Sequence, residues 1–117
     1  MNNSALDLSV FNDLKEMVGD DFIGELLNTF LEETPQLITS MQNALLKNDV
    51  ETFRRLAHSL KSNGASFGAQ ALSDQARALE LLGRAGQLSQ VGDKLETLSA
   101  EYKKVEEVLK RLGHDFE

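Results

Sequence analysis

Residues 50–68 read VETFRRLAHSLKSNGASFG, and this stretch decides the fold class of the chain. Its apolar residues recur at steps of three and four, the spacing that gathers side chains into one stripe of an α-helix. They are Val50, Phe53, Leu56, Ala57, Leu60 and Phe67. At about 100° per residue, His58 lies about 140° from the middle of that stripe. The spacing therefore predicts an amphipathic helix that buries one face and holds an imidazole in solvent on the other.

The segment before this helix shows the same periodicity. We predict a short first helix over about residues 7–18, ended by Gly19, with Asp20 placed to cap the helix that follows. Its inward residues are predicted to be Val10, Phe11, Leu14 and Met17.

The second helix carries a broad apolar stripe from Phe22 to Leu45, interrupted by Pro35. Proline removes one backbone donor and crowds the preceding turn. Because the apolar period resumes afterwards, we predict one long kinked helix. The alternative is a break in which Thr34 caps a new helix and Pro35 is its first residue.

The remaining helices follow after short connections. Residues 47–49 predict a turn that ends in a cap, Gly68 the left-handed end of the histidine helix, and residues 71–84 a fourth helix with Leu72, Ala76, Leu79 and Leu82 inward. A last helix is predicted by Val91, Leu95, Leu98, Tyr102, Val105, Leu109 and Leu112, with a frayed tail beyond. Short connections favour antiparallel neighbours. We therefore predict an all-α protein, a single domain over residues 1–117: an antiparallel up-down-up-down four-helix bundle with a short additional N-terminal helix.

Composition narrows the class of protein. The chain has 117 residues, no cysteine and a formal net charge of −7. The missing cysteines exclude disulfides and thiolate chemistry, and the negative charge argues against a nucleic-acid partner. No apolar run is long enough to cross a bilayer, and residues 1–4 lack the pattern of a secretory leader. We expect a cytoplasmic protein with no membrane partner, and the initial Met1 favours an independent protein over a fragment of a hybrid kinase.

The usual catalytic constellations do not occur in the sequence. A metal site built on histidine needs several ligands, and the second histidine, His114, stands near the chain end, where we expect a solvated residue. No phosphate-binding glycine loop is present. The adjacent carboxylates at residues 20–21 and 32–33 point apart on a helix, as capping and surface charge require. We expect no metal and no self-contained acid–base catalysis.

The surroundings of His58 are basic although the chain is acidic. Arg54, Arg55 and Lys61 lie three or four residues away, and Ser59, Ser62 and Ala65 are small enough for a partner to approach. One interpretation is an ordinary solvated helix face. The other is a nucleophilic histidine in a positive field, since a neutral imidazole nitrogen can attack an activated phosphoryl group.

Residues 57–69 read AHSLKSNGASFGA and resemble the signature of histidine-containing phosphotransfer (HPt) domains. That signature often reads A-H-x-L-K-G-S-S-x-x-L-G or A-H-x-L-K-S-x-S-x-x-F-G, and the His, Leu, Lys and Gly of this chain fall at the expected offsets. The resemblance covers nearly the whole chain, including the acidic second helix with its proline. Ser62 departs from the many members with glycine there, which puts the lifetime of a phosphohistidine in question. Gly64 stands where a small serine is frequent.

The resemblance implies a phosphorelay intermediate without kinase activity of its own. His58 is then the phosphorylated residue, and Lys61 supports the phosphoryl group from one turn away. The group comes from an aspartate of one receiver domain and passes to that of another. The receiver brings the Mg²⁺, so the chain needs no cofactor. The implied partners are response-regulator receivers and a hybrid sensor kinase, and we expect a monomer.

The partner surface is expected on the outer face of the His58 helix, with exposed parts of the first two helices. Its candidate docking residues are Arg54, Arg55, Ser59, Ser62 and Ala65.

Three alternatives stay open on the sequence alone. A catalytically idle helical adaptor would bind receivers on the same face without phosphotransfer. The phosphoacceptor hairpin of a sensor kinase normally has an acidic residue after its histidine, where this chain has Ser59. The last helix could also form a coiled-coil dimer, although its apolar seam is better used inside the bundle.

Overall fold

The helices begin and end where short polar or glycine-containing connections satisfy their terminal backbone groups. The computed structural model describes residues 5–114, with side chains for residues 5–112. Its helices are α1 (Leu8–Val18), α2 (Asp20–Leu46), α3 (Val50–Phe67), α4 (Gln70–Arg84) and α5 (Lys94–His114), with a short 3-10 helix, Leu88–Gln90, between α4 and α5. No strand occurs within that range of the chain. This arrangement confirms the predicted all-α class.

Side-chain caps start two of the helices. The Asp49 carboxylate accepts a hydrogen bond from the backbone N–H of Thr52 at 3.2 Å, as predicted for the start of α3. The Asp7 carboxylate does the same for Ser9 at 3.0 Å. These bonds lower the pKa of both carboxyl groups. The predicted cap at Asp20 is wrong, because Gly19 (φ 91°) is the N-cap residue and Asp20 lies in the first turn of α2.

Gly68 ends α3 in the left-handed conformation, as predicted, and also anchors α1. Its φ is 84°, and its carbonyl accepts a hydrogen bond of 2.7 Å from the backbone N–H of Asp7. A Cβ added to Gly68 would lie 2.6 Å from the Asp7 carbonyl oxygen. Only glycine fits this junction, since both the backbone angle and the contact exclude a side chain.

The short helix α1 buries a narrower stripe than predicted. Phe11 is buried and Leu14 packs partly against the core, but Val10 is exposed and Met17 is 76% exposed. The prediction for Val10 and Met17 is wrong. Because α1 packs mainly on α2 and α3, it buries only one narrow face, and residues at the margin of the apolar stripe stay in solvent.

The long helix α2 continues through Pro35 without a break, which confirms the continuity of the first of the two predictions. Pro35 has no N–H for the carbonyl of Leu31, four residues earlier. The hydroxyl of Tyr102 on α5 donates to that carbonyl at 3.3 Å. Thr34 caps nothing; it is buried, and its hydroxyl has no hydrogen-bond partner in the described part of the chain. A side chain from another helix thus satisfies the group that proline leaves unpaired.

Helices α2 to α5 form the antiparallel bundle, and each packs against its sequence neighbours, with α5 closing onto α2. The predicted seam of the last helix is buried at Val91, Leu95, Leu98, Tyr102, Val105 and Leu109, and its last member, Leu112, is partly buried. Val91 lies outside α5, since the chain enters through the 3-10 helix. The chain does not fray directly after Leu112, because α5 reaches His114; the rest of the expected tail, residues 115–117, lies outside the described residues. No helix in the described range is long and apolar enough to span a bilayer.

Candidate functional site

The imidazole of His58 lies uncovered on the outer face of α3. Its side chain is 55% exposed, whereas Phe53, Ala57 and Leu60 on the opposite face of α3 are completely buried. This placement confirms the exposure that the helical spacing predicts. The rigid helix fixes the backbone of His58, so a protein that docks on this face meets the ring in one place.

A buried carboxylate on α4 holds the ring from below. One oxygen of Glu80 (Oε2) lies 2.7 Å from Nδ1 of His58, and the other (Oε1) lies 2.8 Å from Nζ of Lys61. Nη2 of Arg84 donates to Oε2 at 3.2 Å. The Glu80 side chain is only 3% exposed. Three groups that can carry positive charge therefore converge on one carboxylate beneath the exposed ring.

The charge state of Glu80 decides which nitrogen of the ring is reactive. The hydrogen bond from Lys61 lowers the pKa of this carboxyl, and the bond from His58 adds to the effect, against the opposing cost of burial. An ionised carboxylate only accepts hydrogen bonds, so Nδ1 of His58 carries the proton. In the neutral ring Nε2 then keeps its lone pair. Since Nδ1 faces α4, Nε2 points away from α4 into solvent.

Close packing of α3 against α4 brings Glu80 under His58. Gly83 would place a Cβ 3.2 Å from both Cα and Cβ of Arg54, so the helices approach as closely as they do because this residue has no side chain. Further along the same interface, the Ser73 hydroxyl donates to the carbonyl of Lys61 at 2.8 Å. These contacts fix the register of α4 along α3, and with it the position of the Glu80 carboxylate.

The other predicted site residues lie on the same face of α3 but in different states. Arg54 binds Glu51 through two nitrogens, one of them at 3.2 Å. Arg55 is exposed, and its guanidinium has no ion pair among the described residues. Ser62 and Ala65 are exposed. Lys61 is 30% exposed and directs its ammonium to Glu80.

Ser59 and His114 are the remaining residues that the sequence analysis considered. Ser59 is half-buried, which places it at the edge of the exposed face. His114 ends α5, and its side chain lies outside the described residues. Among the side chains that the structure describes, no group of three His, Asp or Glu residues is arranged to hold a metal ion.

Sequence reasoning missed Glu80 and Arg84. A signal for Glu80 was present, because it lies four residues after Ala76 and directly after Leu79, inside the apolar stripe of α4. A carboxylate at a buried helical position requires cationic partners to offset its lost hydration. That rule predicts a partner, but the sequence does not say which cation it is.

The arrangement suits nucleophilic histidine chemistry. In the neutral ring it has an exposed nitrogen with a free lone pair, and it also has a carboxylate that stabilises positive charge on the ring and surrounding cations that favour an incoming anion.

Comparisons with known proteins agree with this geometry. Residues 25–112 match the family model for the Hpt domain. The chain is 30% identical over 92 residues to the phosphorelay protein LuxU of Vibrio harveyi, which covers 79% of this chain and 81% of LuxU. It is 32% identical over 79 residues to the sensor protein TorS of Escherichia coli K12, covering 68% of this chain and 9% of TorS. The crystal structure of histidine-containing phosphotransfer protein B from Pseudomonas aeruginosa PAO1 superposes with a TM-score of 0.93 at 28% identity, covering 99% of this chain and 100% of that one.

Proposed function

Since this chain belongs to the Hpt domain family and is a phosphotransfer intermediate of a phosphorelay, we propose that His58 is the residue that carries the phosphoryl group. The observation that carries the proposal is the bond of 2.7 Å between Nδ1 of His58 and the buried carboxylate of Glu80. It leaves Nε2 as the exposed nucleophile.

The transfer step follows from this geometry. The lone pair of Nε2 attacks the phosphorus of a phospho-aspartate on a receiver domain, a P–N bond forms, and the P–O bond to the aspartate breaks. The aspartate leaves as a carboxylate, and the ring, with its proton still on Nδ1, gains a positive charge. The negative charge of the Glu80 carboxylate stabilises that positive charge. Transfer to a second receiver is the same step in reverse.

Lys61 contributes to this step, in our proposal, from its place beside Glu80. Its ammonium lies 2.8 Å from Oε1 and keeps the carboxyl ionised. It also places a positive charge one helical turn from the phosphoryl group that the ring receives. Both effects favour the phosphorylated state.

The rest of the chemistry belongs to the partner. We propose that the receiver supplies the Mg²⁺ and that this chain has no kinase activity, cofactor or metal of its own. Receivers and a hybrid sensor kinase are the expected partners of a monomer in the cytoplasm. Docking involves the outer face of α3, with Arg54, Arg55, Ser59, Ser62 and Ala65. Exposed apolar residues of α1 and α2 extend that surface: Leu8, Val10, Met17 and Phe22.

Labelling by a phosphorylated receiver tests the proposal. The wild-type chain should acquire acid-labile label, His58→Gln should acquire none, and both should have the same helical content by circular dichroism. The second histidine offers a matched control, because His114→Gln makes the same chemical change elsewhere and should label normally. Label on the His58→Gln variant would refute the assignment. A wild-type chain that binds receivers but never labels would be the idle adaptor.

A further inference from the structure

Four cations lie near His58 and Glu80, and among the described side chains one of these four has no carboxylate partner. Lys61 and Arg84 bind Glu80, and Arg54 binds Glu51. The fourth is Arg55, whose guanidinium is exposed and forms no ion pair within 4 Å in the part of the chain whose side chains are described. The site therefore holds one arginine whose hydrogen-bonding groups are available to an incoming anion.

The nearby carboxylates do not compete for this arginine. Its charge helps to lower the pKa of Asp49 and of Glu51, so both lie within its electrostatic reach. Asp49 is occupied with the backbone N–H of Thr52, and Glu51 with the guanidinium of Arg54. Each carboxylate already has a closer partner, and Arg55 stays free.

The helix places Arg55 on the side of His58 that faces away from α4. At about 100° per residue, residues three positions before and three positions after His58 lie about 60° to opposite sides of it. Lys61 is on the α4 side, because its ammonium reaches Glu80. Arg55 is consequently on the other side. Nδ1 points to α4, so Nε2 points toward the side of Arg55.

The lean of helical side chains favours the same contact. Side chains of an α-helix tilt toward the N-terminus and cover the preceding turn. The ring of His58 therefore extends over the turn that contains Arg55 and away from Ser62, which lies in the following turn. Lys61 is held at Glu80, so a phosphoryl group on Nε2 lies on the side of the ring where Arg55 is the unpaired cation.

We propose that Arg55 binds the phosphoryl oxygens of the group carried on Nε2 of His58, while Lys61 remains with Glu80. The ligand is a phosphoryl dianion, which the planar fork of a guanidinium binds through two parallel hydrogen bonds. Lysine at position 55 would supply the charge without the fork. The inference rests on the proposed function and adds to it the group that holds the phosphoryl.

A small phosphoryl donor tests this without any docking partner. Phosphoramidate transfers its phosphoryl group to a histidine nitrogen, breaking its own P–N bond and releasing ammonia. Arg55→Gln should label about threefold to tenfold more slowly than wild type, since an exposed charge-assisted hydrogen bond is lost. Arg55→Lys should fall between the two.

Arg77 provides the matched control. It is an exposed arginine on α4, three residues before Glu80, so Arg77→Gln removes the same charge from the helix that carries Glu80. It should change the rate less than about twofold. Equal slowing of both variants would show a general field effect and overturn the role of Arg55, as would an unchanged rate in Arg55→Gln.

The phosphorus signal gives a second readout that a merely structural role would not move. In ³¹P NMR of the labelled protein, loss of the guanidinium should raise the titration midpoint of the phosphoryl group by about half a pH unit. An unshifted midpoint in Arg55→Gln would overturn the contact. Failure of the wild-type chain to label on His58 from either phosphoramidate or a receiver would instead overturn the proposed function, so the two failures are distinguishable.

Discussion

Replacing Glu80 by glutamine separates the chemical role of the buried carboxylate from its structural role. Glutamine has nearly the same shape and keeps a carbonyl oxygen that can accept the Nδ1–H of His58, but it carries no charge. The variant thus keeps the tautomer of the ring and removes the negative charge that stabilises the positively charged ring. We expect a large loss of phosphotransfer with little loss of stability.

The exposures of the partners set the magnitude for stability. Breaking a buried ion pair usually costs about 3–5 kcal/mol because the remaining charge is stranded away from water. Here the side chains of His58 and Arg84 are 55% and 62% exposed, and that of Lys61 is 30% exposed, so water can replace the lost contacts. The variant also removes the cost of burying the Glu80 charge. We expect the free energy of unfolding to change by less than about 1 kcal/mol.

The magnitude for phosphotransfer follows from the charged hydrogen bond. A hydrogen bond to a charged group contributes about 1.5–3 kcal/mol, and this one strengthens as the ring becomes cationic. Its loss should slow labelling of His58 about tenfold to hundredfold. We predict that the effect on the rate of labelling is much larger than the effect on the free energy of unfolding, because a general destabilisation would change stability and labelling together.

Initial rates of labelling by a phosphorylated receiver, together with urea unfolding followed by circular dichroism, measure both quantities. Glu106→Gln is the matched control: it removes the same charge from a pair between partly exposed Glu106 and exposed Lys110 (3.4 Å) on α5 and should leave labelling unchanged. Undiminished labelling in Glu80→Gln would refute the reasoning. So would a loss of labelling that merely follows the unfolded fraction.

Four other results are expected. Gly83→Ala should slow labelling, because the added Cβ lies 3.2 Å from Arg54 and pushes α4 away from α3. The free energy of unfolding should change by less than about 2 kcal/mol, because alanine also favours the helix. Thermal unfolding and a labelling assay measure the two effects. Tyr102, the only tyrosine, has a pKa raised to about 12 by burial, so its phenolate absorbance should appear near that pH and stability should fall between about pH 10 and 12, where the folded state binds more protons. Tyr102→Phe should cost about 1–2 kcal/mol in urea unfolding, because the carbonyl of Leu31 loses its donor. The pKa of Glu80 is lowered on folding, so the ionised carboxylate contributes to stability above the ordinary carboxyl range. That contribution is lost as the pH falls through the folded pKa. The free energy of unfolding by which wild type exceeds Glu80→Gln should therefore shrink in that acid range.

Local rules predicted the fold well because most of its signals are local. The cap at Asp49 and the left-handed end at Gly68 each depend on a few neighbouring residues, and both are present. Met17 was predicted inward and is exposed, because the width of a buried stripe depends on how many helices pack against it. Sequence periodicity gives the direction of a helix face, but the neighbours decide how much of that face they cover.

The candidate site likewise has one part that local spacing predicts and another that depends on packing between helices. The exposure of His58 follows from spacing within α3 and was predicted. The partner of its ring is 22 residues away on another helix, and no spacing rule within one helix identifies it. Only the packing of α4 on α3, set by Gly83 and Ser73, brings Glu80 to that position.

The choice of a carboxylate beneath the ring has a physical reason beyond orientation. A neutral acceptor would also keep the proton on Nδ1 and leave Nε2 outward, so the tautomer alone does not require a charge. A buried charge is costly, and Lys61 and Arg84 both bind Glu80 to offset that cost. The buried charge acts when positive charge appears on the ring during transfer, because a carboxylate already in place stabilises that charge without rearrangement. Glutamine at position 80 tests this argument: it keeps an acceptor for the Nδ1–H of His58 and removes the charge, with an amide NH2 in place of the oxygen that Lys61 binds.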